Sequence, residues 1–260
     1  MNPTRMPRRA AVYTLGCRLN QTETALICDD LARHGYELVH WGEPAELLVI
    51  NGCTVTAESA AKTRKAAHSA RRRCPEAFIA VVGCAPEMDP AAWSADGSVD
   101  LVVGNVAKDR LSAVLPEDLR RPPAPAVQVG CGPRRGEPVG AFVEEGAGLY
   151  YEKTRANLKV QEGCDFFCSY CIVPHVRGPA RSRGWDDALR EAAELLRRGH
   201  REIVLTGVNI ATYADGGRDL VDLIAAILAL GQGFRVRLGS TEPGPVLQRL
   251  VALMAREPRM

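Results

Sequence analysis

The sequence predicts an α/β protein, a doubly wound parallel sheet followed by β/α units of a barrel. Short apolar runs alternate with longer amphipathic ones along most of the 260 residues, and alternating strands and helices pack as parallel sheets. The first three apolar runs all end in one dipeptide: Gly16-Cys17, Gly52-Cys53 and Gly83-Cys84. A stretch rich in Pro, Gly, Arg and Glu, Pro116 to Gly148, interrupts the pattern and reads as a linker. The domains are therefore expected at 1–115 and 150–260, with the linker at 116–149.

The first strand is Ala10 to Leu15. Asn20 or Thr22 is the expected cap of the helix that follows, and His34-Gly35 its stop. Leu47 to Asn51 is the second strand, and Thr56 caps a basic helix carrying Lys62, Arg64, Lys65, His68 and Arg71 to Arg73. Phe78 to Val82 is the third strand and Leu101 to Gly104 the fourth. In the second domain Asn157 to Gln161 is a strand, and Gly184 to Asp187 opens a helix. Glu202 to Thr206 is the next strand, Leu220 to Leu230 a helix, Phe234 to Leu238 a strand, and Val246 to Ala255 a helix. These are three β/α units, an open sheet with an exposed edge.

Hydrophobic residues make up 46% of the chain and charged residues 25%, as in soluble globular proteins. The longest apolar candidate, Val221 to Leu230, is too short to cross a bilayer. Arg5, Arg8 and Arg9 precede no apolar signal segment. Nine cysteines, an odd number, argue against a disulfide framework. A cytoplasmic protein without a membrane partner is expected. The formal charge of +2 makes no overall case for nucleic acid, so any RNA contact rests on local patches.

The chemistry centres on Cys164, Cys168 and Cys171, spaced C-x3-C-x2-C after a strand. Three thiolates are one ligand short of a closed zinc site. They suit a cubane iron–sulfur cluster with one iron open; a partial zinc site or unrelated buried thiols would use the same residues. Cys17, Cys53 and Cys84 should converge at the carboxyl edge of the first sheet, where such folds bind ligands. They are again three, and three independent buried thiols are the alternative. Cys28, Cys74 and Cys131 read as non-ligands.

With Tyr170 before its last cysteine, the motif resembles the radical S-adenosylmethionine (SAM) enzymes. The longer run from Leu158 to Cys164, then Ile172 to Pro179 and Arg181-Ser182-Arg183, is similar to the tRNA and ribosomal-protein methylthiotransferases. Thr14 to Glu23, Asn51 to Thr56 and Val82 to Cys84 resemble the domain that holds that family's second cluster. The forms around Cys17 and from Ile203 to Asn209 are most similar to the branch acting on N6-threonylcarbamoyladenosine at tRNA position 37. The isopentenyladenosine and ribosomal-protein S12 branches differ after the first cysteine, and Ala85-Pro86 stands where the family usually has an aromatic.

The resemblance implies the first half of a radical SAM partial (β/α)6 barrel after the parallel-sheet domain. The family's later strands and its RNA-binding β-barrel are absent, so the chain reads as truncated and is expected not to modify tRNA efficiently by itself. It implies two [4Fe–4S] clusters and SAM. The cluster on Cys164, Cys168 and Cys171 would cleave SAM to a 5′-deoxyadenosyl radical, and the second, on Cys17, Cys53 and Cys84, would carry the sulfur delivered to C2 of the adenine. Thr206, Gly207, Asn209, Ser240 and Glu242 are then expected to contact SAM, although polar strand-end caps would look the same. Tyr170 would flank the adenine or simply pack. Arg177, Arg181 and Arg183 form a basic run for SAM carboxylate or RNA phosphate, or a solvated face, and the basic helix is a second candidate tRNA surface. Partners implied are tRNA, an electron donor such as a flavodoxin or ferredoxin, and a sulfur source. A non-catalytic iron–sulfur or zinc protein is the rival reading, set against the Leu205 to Asn209 motif.

Overall fold

The computed structural model describes residues 7–130, 140–150 and 154–260. Cys131 lies outside them. The chain divides into two compact units, Met1–Gly132 and Pro133–Met260.

The first unit runs β1 (Arg9–Thr14), α1 (Arg18–Arg33), β2 (Glu37–Val39), β3 (Leu47–Gly52), α2 (Ala57–Arg73), β4 (Phe78–Gly83), α3 (Cys84–Met88), α4 (Pro90–Ser94), β5 (Leu101–Val103), a 3₁₀ helix (Lys108–Ala113) and β6 (Ala126–Gln128). Its six strands form one parallel sheet in the order β2-β1-β3-β4-β5-β6. Every residue of β3 and β4 is buried, as expected of central strands covered on both faces. Leu47, Val49, Phe78, Ala80 and Val82 pack on one side with Ile27 and Leu31 of α1. Leu48, Ile50, Ile79 and Val81 pack on the other with Ala67 and Ala70 of α2 and with Trp93. The period-two alternation thus feeds two cores, the doubly wound arrangement.

Two expectations change here. Asn20 and Thr22 lie inside α1 and are buried, and Cys17 occupies the N-cap position without a side-chain cap bond. The helix starts earlier because the chain turns at Gly16, whose φ is +117°. The stretch read as linker supplies β6, which pairs with β5, and the division between units falls after Gly132. Thr56 does cap α2, accepting from Ser59 N–H at 3.1 Å.

The second unit runs β7 (Arg155–Lys159), β8 (Gln161–Glu162), α5 (Val173–Arg177), β9 (Arg181–Ser182), α6 (Trp185–Arg197), β10 (Glu202–Thr206), a 3₁₀ turn (Ile210–Thr212), β11 (Ala214–Asp215), β12 (Arg218–Asp219), α7 (Leu220–Ala229), β13 (Arg235–Leu238) and α8 (Leu247–Arg256). Strands β7, β10 and β13 are parallel and adjacent in sequence order, as in successive units of a β/α barrel. One face, with Ala156, Leu158, Ile203, Leu205 and Val236, meets α6, α7 and α8 in a single core. The alternate positions are polar except for the buried Val204: Glu202 pairs across strands with Arg155 at 2.6 Å and Arg237 at 3.1 Å. Helices therefore cover one face only, and the other is the polar wall of a partial barrel.

Candidate functional site

In the first unit, the ends of β1, β3 and β4 lie side by side, Thr14 opposite Asn51 and Gly52 opposite Gly83. Cys17, Cys53 and Cys84 follow those ends on neighbouring loops. Cys53 and Cys84 are buried and Cys17 is exposed. The glycines before them are sterically required. A Cβ on Gly16 would lie 2.5 Å from Cys53 Cβ, and one on Gly83 would lie 2.6 Å from Asn51 Oδ1. Both have positive φ. Asn20 ties two of the loops together, donating from Nδ2 to the carbonyls of Leu15 at 3.0 Å and Gly52 at 3.2 Å. Asn51 returns the tie through Nδ2 to the Asn20 carbonyl at 2.9 Å. The position read as a helix cap is thus a brace of the cysteine edge.

In the second unit, Cys164, Cys168 and Cys171 share one loop between β8 and α5. Cys171 N–H donates to the Cys168 carbonyl at 2.9 Å, and Cys164 N–H to the Gly178 carbonyl at 3.1 Å. Burial pushes the Cys164 thiol up, and the nearby Cys171, Cys168 and Asp165 add to the effect. Phe167 takes φ +46° to close the loop, its ring edge-on to His175. Tyr170 is 90% exposed, so it is not a packed aromatic.

Among the described residues no three His, Cys, Asp or Glu side chains are arranged to hold a single metal ion. A cubane spreads its irons over separate corners, each with its own thiolate, so its ligands need not meet at a point. None of the eight described cysteines is in a disulfide. The open, all-thiol loop of the second unit fits a cluster with a free corner. Burial and the Asp29 charge push the Cys28 thiol up to about 12, away from the thiolate form a ligand needs.

The five residues expected at SAM come together at the ends of β10 and β13. Asn209 Oδ1 accepts from Ala211 N–H at 3.2 Å and Glu242 N–H at 3.1 Å, and Ile210 N–H donates to the Ser240 carbonyl at 3.0 Å. Thr206 turns its hydroxyl back to the Val204 carbonyl. Gly207 has no room for a Cβ, which would lie 2.8 Å from the Gln161 carbonyl oxygen. Ser240 and Glu242 are exposed.

Sequence reasoning missed Gln161 and Glu162. Gln161 is fully buried. Its Oε1 accepts from the N–H groups of Val208 at 2.9 Å and Asn209 at 2.8 Å, and its Nε2 donates to the carbonyls of Glu162 and Gly163. One side chain therefore joins the cysteine loop to the loop after β10. Glu162 accepts from Arg177 at 2.6 Å and Lys159 at 2.5 Å. Arg177 and Arg183 are consequently buried in internal ion pairs, Arg183 with Asp187 and Glu191, not set out as a solvated run. Arg181 is partly buried, 3.8 Å from Glu162. The signal available in the sequence was a run of charged residues at the end of an apolar strand. In the basic helix of the first unit, Lys62 pairs with Glu58 and Arg71 folds onto Asp100.

Residues 9–104 match the family described as Uncharacterized protein family UPF0004, and residues 158–258 match the Radical SAM superfamily. Threonylcarbamoyladenosine tRNA methylthiotransferase MtaB of Aquifex aeolicus (strain VF5) is 35% identical over 259 residues, which cover 97% of this chain and 60% of the relative. The tRNA-2-methylthio-N(6)-dimethylallyladenosine synthase of Chlorobium phaeobacteroides (strain BS1) is 28% identical, over 98% of this chain and 56% of the relative. This chain thus spans somewhat more than half the length of these curated relatives. The structure of the radical S-adenosylmethionine methyltransferase TsrM from Kitasatospora setae matches 92% of this chain and 60% of that one, with a TM-score of 0.55 and 15% identity, a likeness of fold alone. Family models match both units, and both curated relatives align along nearly the whole of this chain: it is similar throughout its length to the radical SAM methylthiotransferases.

Proposed function

We propose that this chain serves methylthiolation of tRNA, at C2 of N6-threonylcarbamoyladenosine at position 37. The observation that carries the reading is the pair of three-cysteine groups, one following the strand ends of each unit, each one ligand short of a closed four-ligand site. The MtaB relative, more similar than the dimethylallyladenosine synthase, favours the threonylcarbamoyl substrate. The synthase keeps a dimethylallyladenosine tRNA as the alternative.

Cys164, Cys168 and Cys171 would hold a [4Fe–4S] cluster, and Cys17, Cys53 and Cys84 a second. With SAM bound, the first supplies the radical chemistry that removes an inert aromatic hydrogen, which acid–base groups cannot do. The protein's part is placement. Gln161 fixes the loop after β10 against the cysteine loop, so Thr206, Gly207 and Asn209 would be held in place to contact SAM. Glu162, held by Arg177 and Lys159, anchors the first thiol's loop. Tyr170, exposed beside Cys171, is free to stack on an adenine. Ser240 and Glu242 offer exposed polar groups at the next strand end. Arg181, the least enclosed of the three arginines, is the one suited to a carboxylate or phosphate. An electron donor such as a flavodoxin or ferredoxin, a sulfur source and a cytoplasmic setting complete the reading; no helix among the described residues is long and apolar enough to cross a membrane.

The test is anaerobic reconstitution with iron and sulfide, followed by assay of 5′-deoxyadenosine. Wild type should bind iron and cleave SAM, and Cys168→Ala should abolish cleavage. In cells lacking their own methylthiotransferases, these residues carried in a chain of the relatives' full length should restore the 2-methylthio group on threonylcarbamoyladenosine and not on isopentenyladenosine, whereas the 260 residues by themselves should not restore it efficiently. The reverse pattern would move the substrate to the other branch.

A further inference from the structure

The first unit buries a charge that neither the sheet nor the cysteines by themselves explain. Lys108, at the start of the 3₁₀ helix, is 1% exposed, and its Nζ lies 2.6 Å from Oε2 of Glu23 on α1, which is 0% exposed. Burying an ammonium costs several kcal/mol unless it is paired and hydrogen-bonded. The pair goes further: Lys108 Nζ also donates to Asn105 Oδ1 at 2.5 Å. Asn105 in turn lies against Cys84, with Nδ2 3.7 Å from Sγ and Oδ1 3.8 Å from it.

Contact with the sulfur alone leaves the amide two orientations, because a thiol both donates and accepts. Lys108 decides between them. An ammonium has only donors, so it holds the amide oxygen and turns the NH2 toward Cys84. The Asn105 backbone is pinned as well, its N–H donating to Glu87 at 2.8 Å. A thiolate bound to iron only accepts, and this amide is preset to donate to it. Cys17 has the opposite neighbour: Asn20 spends its NH2 on two carbonyls and leaves its oxygen 3.5 Å from that sulfur.

We propose that Glu23, Lys108 and Asn105 form a positioning relay that presents an N–H donor to the Cys84 sulfur and raises the reduction potential of the cluster held by Cys17, Cys53 and Cys84. The inference rests on reading those three cysteines as cluster ligands. Reduction adds negative charge to the cluster and its sulfurs, so a donor stabilises the reduced form more than the oxidised one.

The experiment uses the full chain carrying Cys164→Ala, Cys168→Ala and Cys171→Ala, so that only the first unit can hold iron. After anaerobic reconstitution it should bind about four irons. Potentiometric titration followed by electron paramagnetic resonance then compares it with two variants. Asn105→Asp keeps an acceptor for Lys108 but sets oxygen against the sulfur. Glu23→Gln with Lys108→Met removes both charges together, so that neither is left buried and unpaired, and lets the Asn105 amide turn. Both should retain iron and shift the potential downward, Asn105→Asp further. Unchanged potentials at full iron occupancy would overturn the relay and leave the cluster assignment standing. Absence of iron from the triple-cysteine background would overturn both, and is read before any potential is measured. Iron loss from both relay variants, with Cys28→Ala retaining it, would mark a purely structural role and overturn the tuning.

Discussion

A Cβ on Gly163 would lie 1.9 Å from the Pro179 carbonyl oxygen, and the residue's φ is +68°. Neither obstacle can relax easily, because the obstructing atom is backbone and the following Cys164 N–H is bonded to Gly178. Gly163→Ala should therefore cost about 1–3 kcal/mol in backbone strain alone and displace the cysteine loop. The expected outcome is loss of the second unit's iron with that of the first unit retained, read by iron analysis after reconstitution. Cys28 makes a prediction of the other kind. Its thiol is pushed up from 9.0 to about 12, so the folded state holds a proton that the unfolded chain releases. The contribution is fully present below the unfolded value and lost as pH rises from about 9 toward the folded value. Urea titrations should show stability falling by up to about 1.4 kcal/mol per pH unit in that window, and Cys28→Val should flatten the slope.

At the scale of elements, Arg183 joins three of them. It follows β9, reaches Asp187 at 2.7 Å and Glu191 on α6, and donates to the Lys159 carbonyl of β7 at 3.2 Å. Burial pushes the Asp187 carboxyl up, but Arg183 and its other donors outweigh that and hold it below the usual range. Such a carboxylate contributes stability above its unfolded pKa, and the contribution is lost as pH falls through the folded value. Arg183→Met leaves the buried Glu191 without its cation and Asp187 with Arg190 alone, and should cost about 3–5 kcal/mol at neutral pH. The gap from wild type should narrow as pH falls below the ordinary aspartate value of about 4, where Asp187 protonates in the variant before it does in wild type. A constant gap from pH 7 to pH 3 would mean that packing and not charge sets the cost.

At the scale of the molecule, each unit has its own core. The first sheet is covered on both faces within Met1–Gly132, so residues 1–132 expressed alone should unfold cooperatively in urea with helical and strand circular dichroism. They should also take up iron through Cys17, Cys53 and Cys84, and Cys53→Ala should abolish that uptake. A non-cooperative melt would mean that the first unit depends on the second for its fold.

The sequence by itself determined the fold class and the six candidate ligands. The parallel sheet was legible in β3 and β4, whose unbroken apolar runs fit only strands buried on both faces, and the cysteines in the Gly-Cys repeats and the C-x3-C-x2-C spacing. Short edge strands were not: β6 is exposed throughout and owes its existence to pairing with β5, which no local pattern records. Helix α1 begins at Arg18, not after Asn20, because a Gly16 turn and the Asn20 brace to Gly52 outrank local capping preference. Tertiary structure alone decided which polar residues hold the sites. Gln161 joins loops 47 residues apart, and Lys108 meets Glu23 across 85. Arginines 177 and 183, which look like a solvated basic run, are drawn inside because buried carboxylates from other elements wait for them. Propensity and periodicity are local, whereas the partner of a buried charge is chosen by the fold.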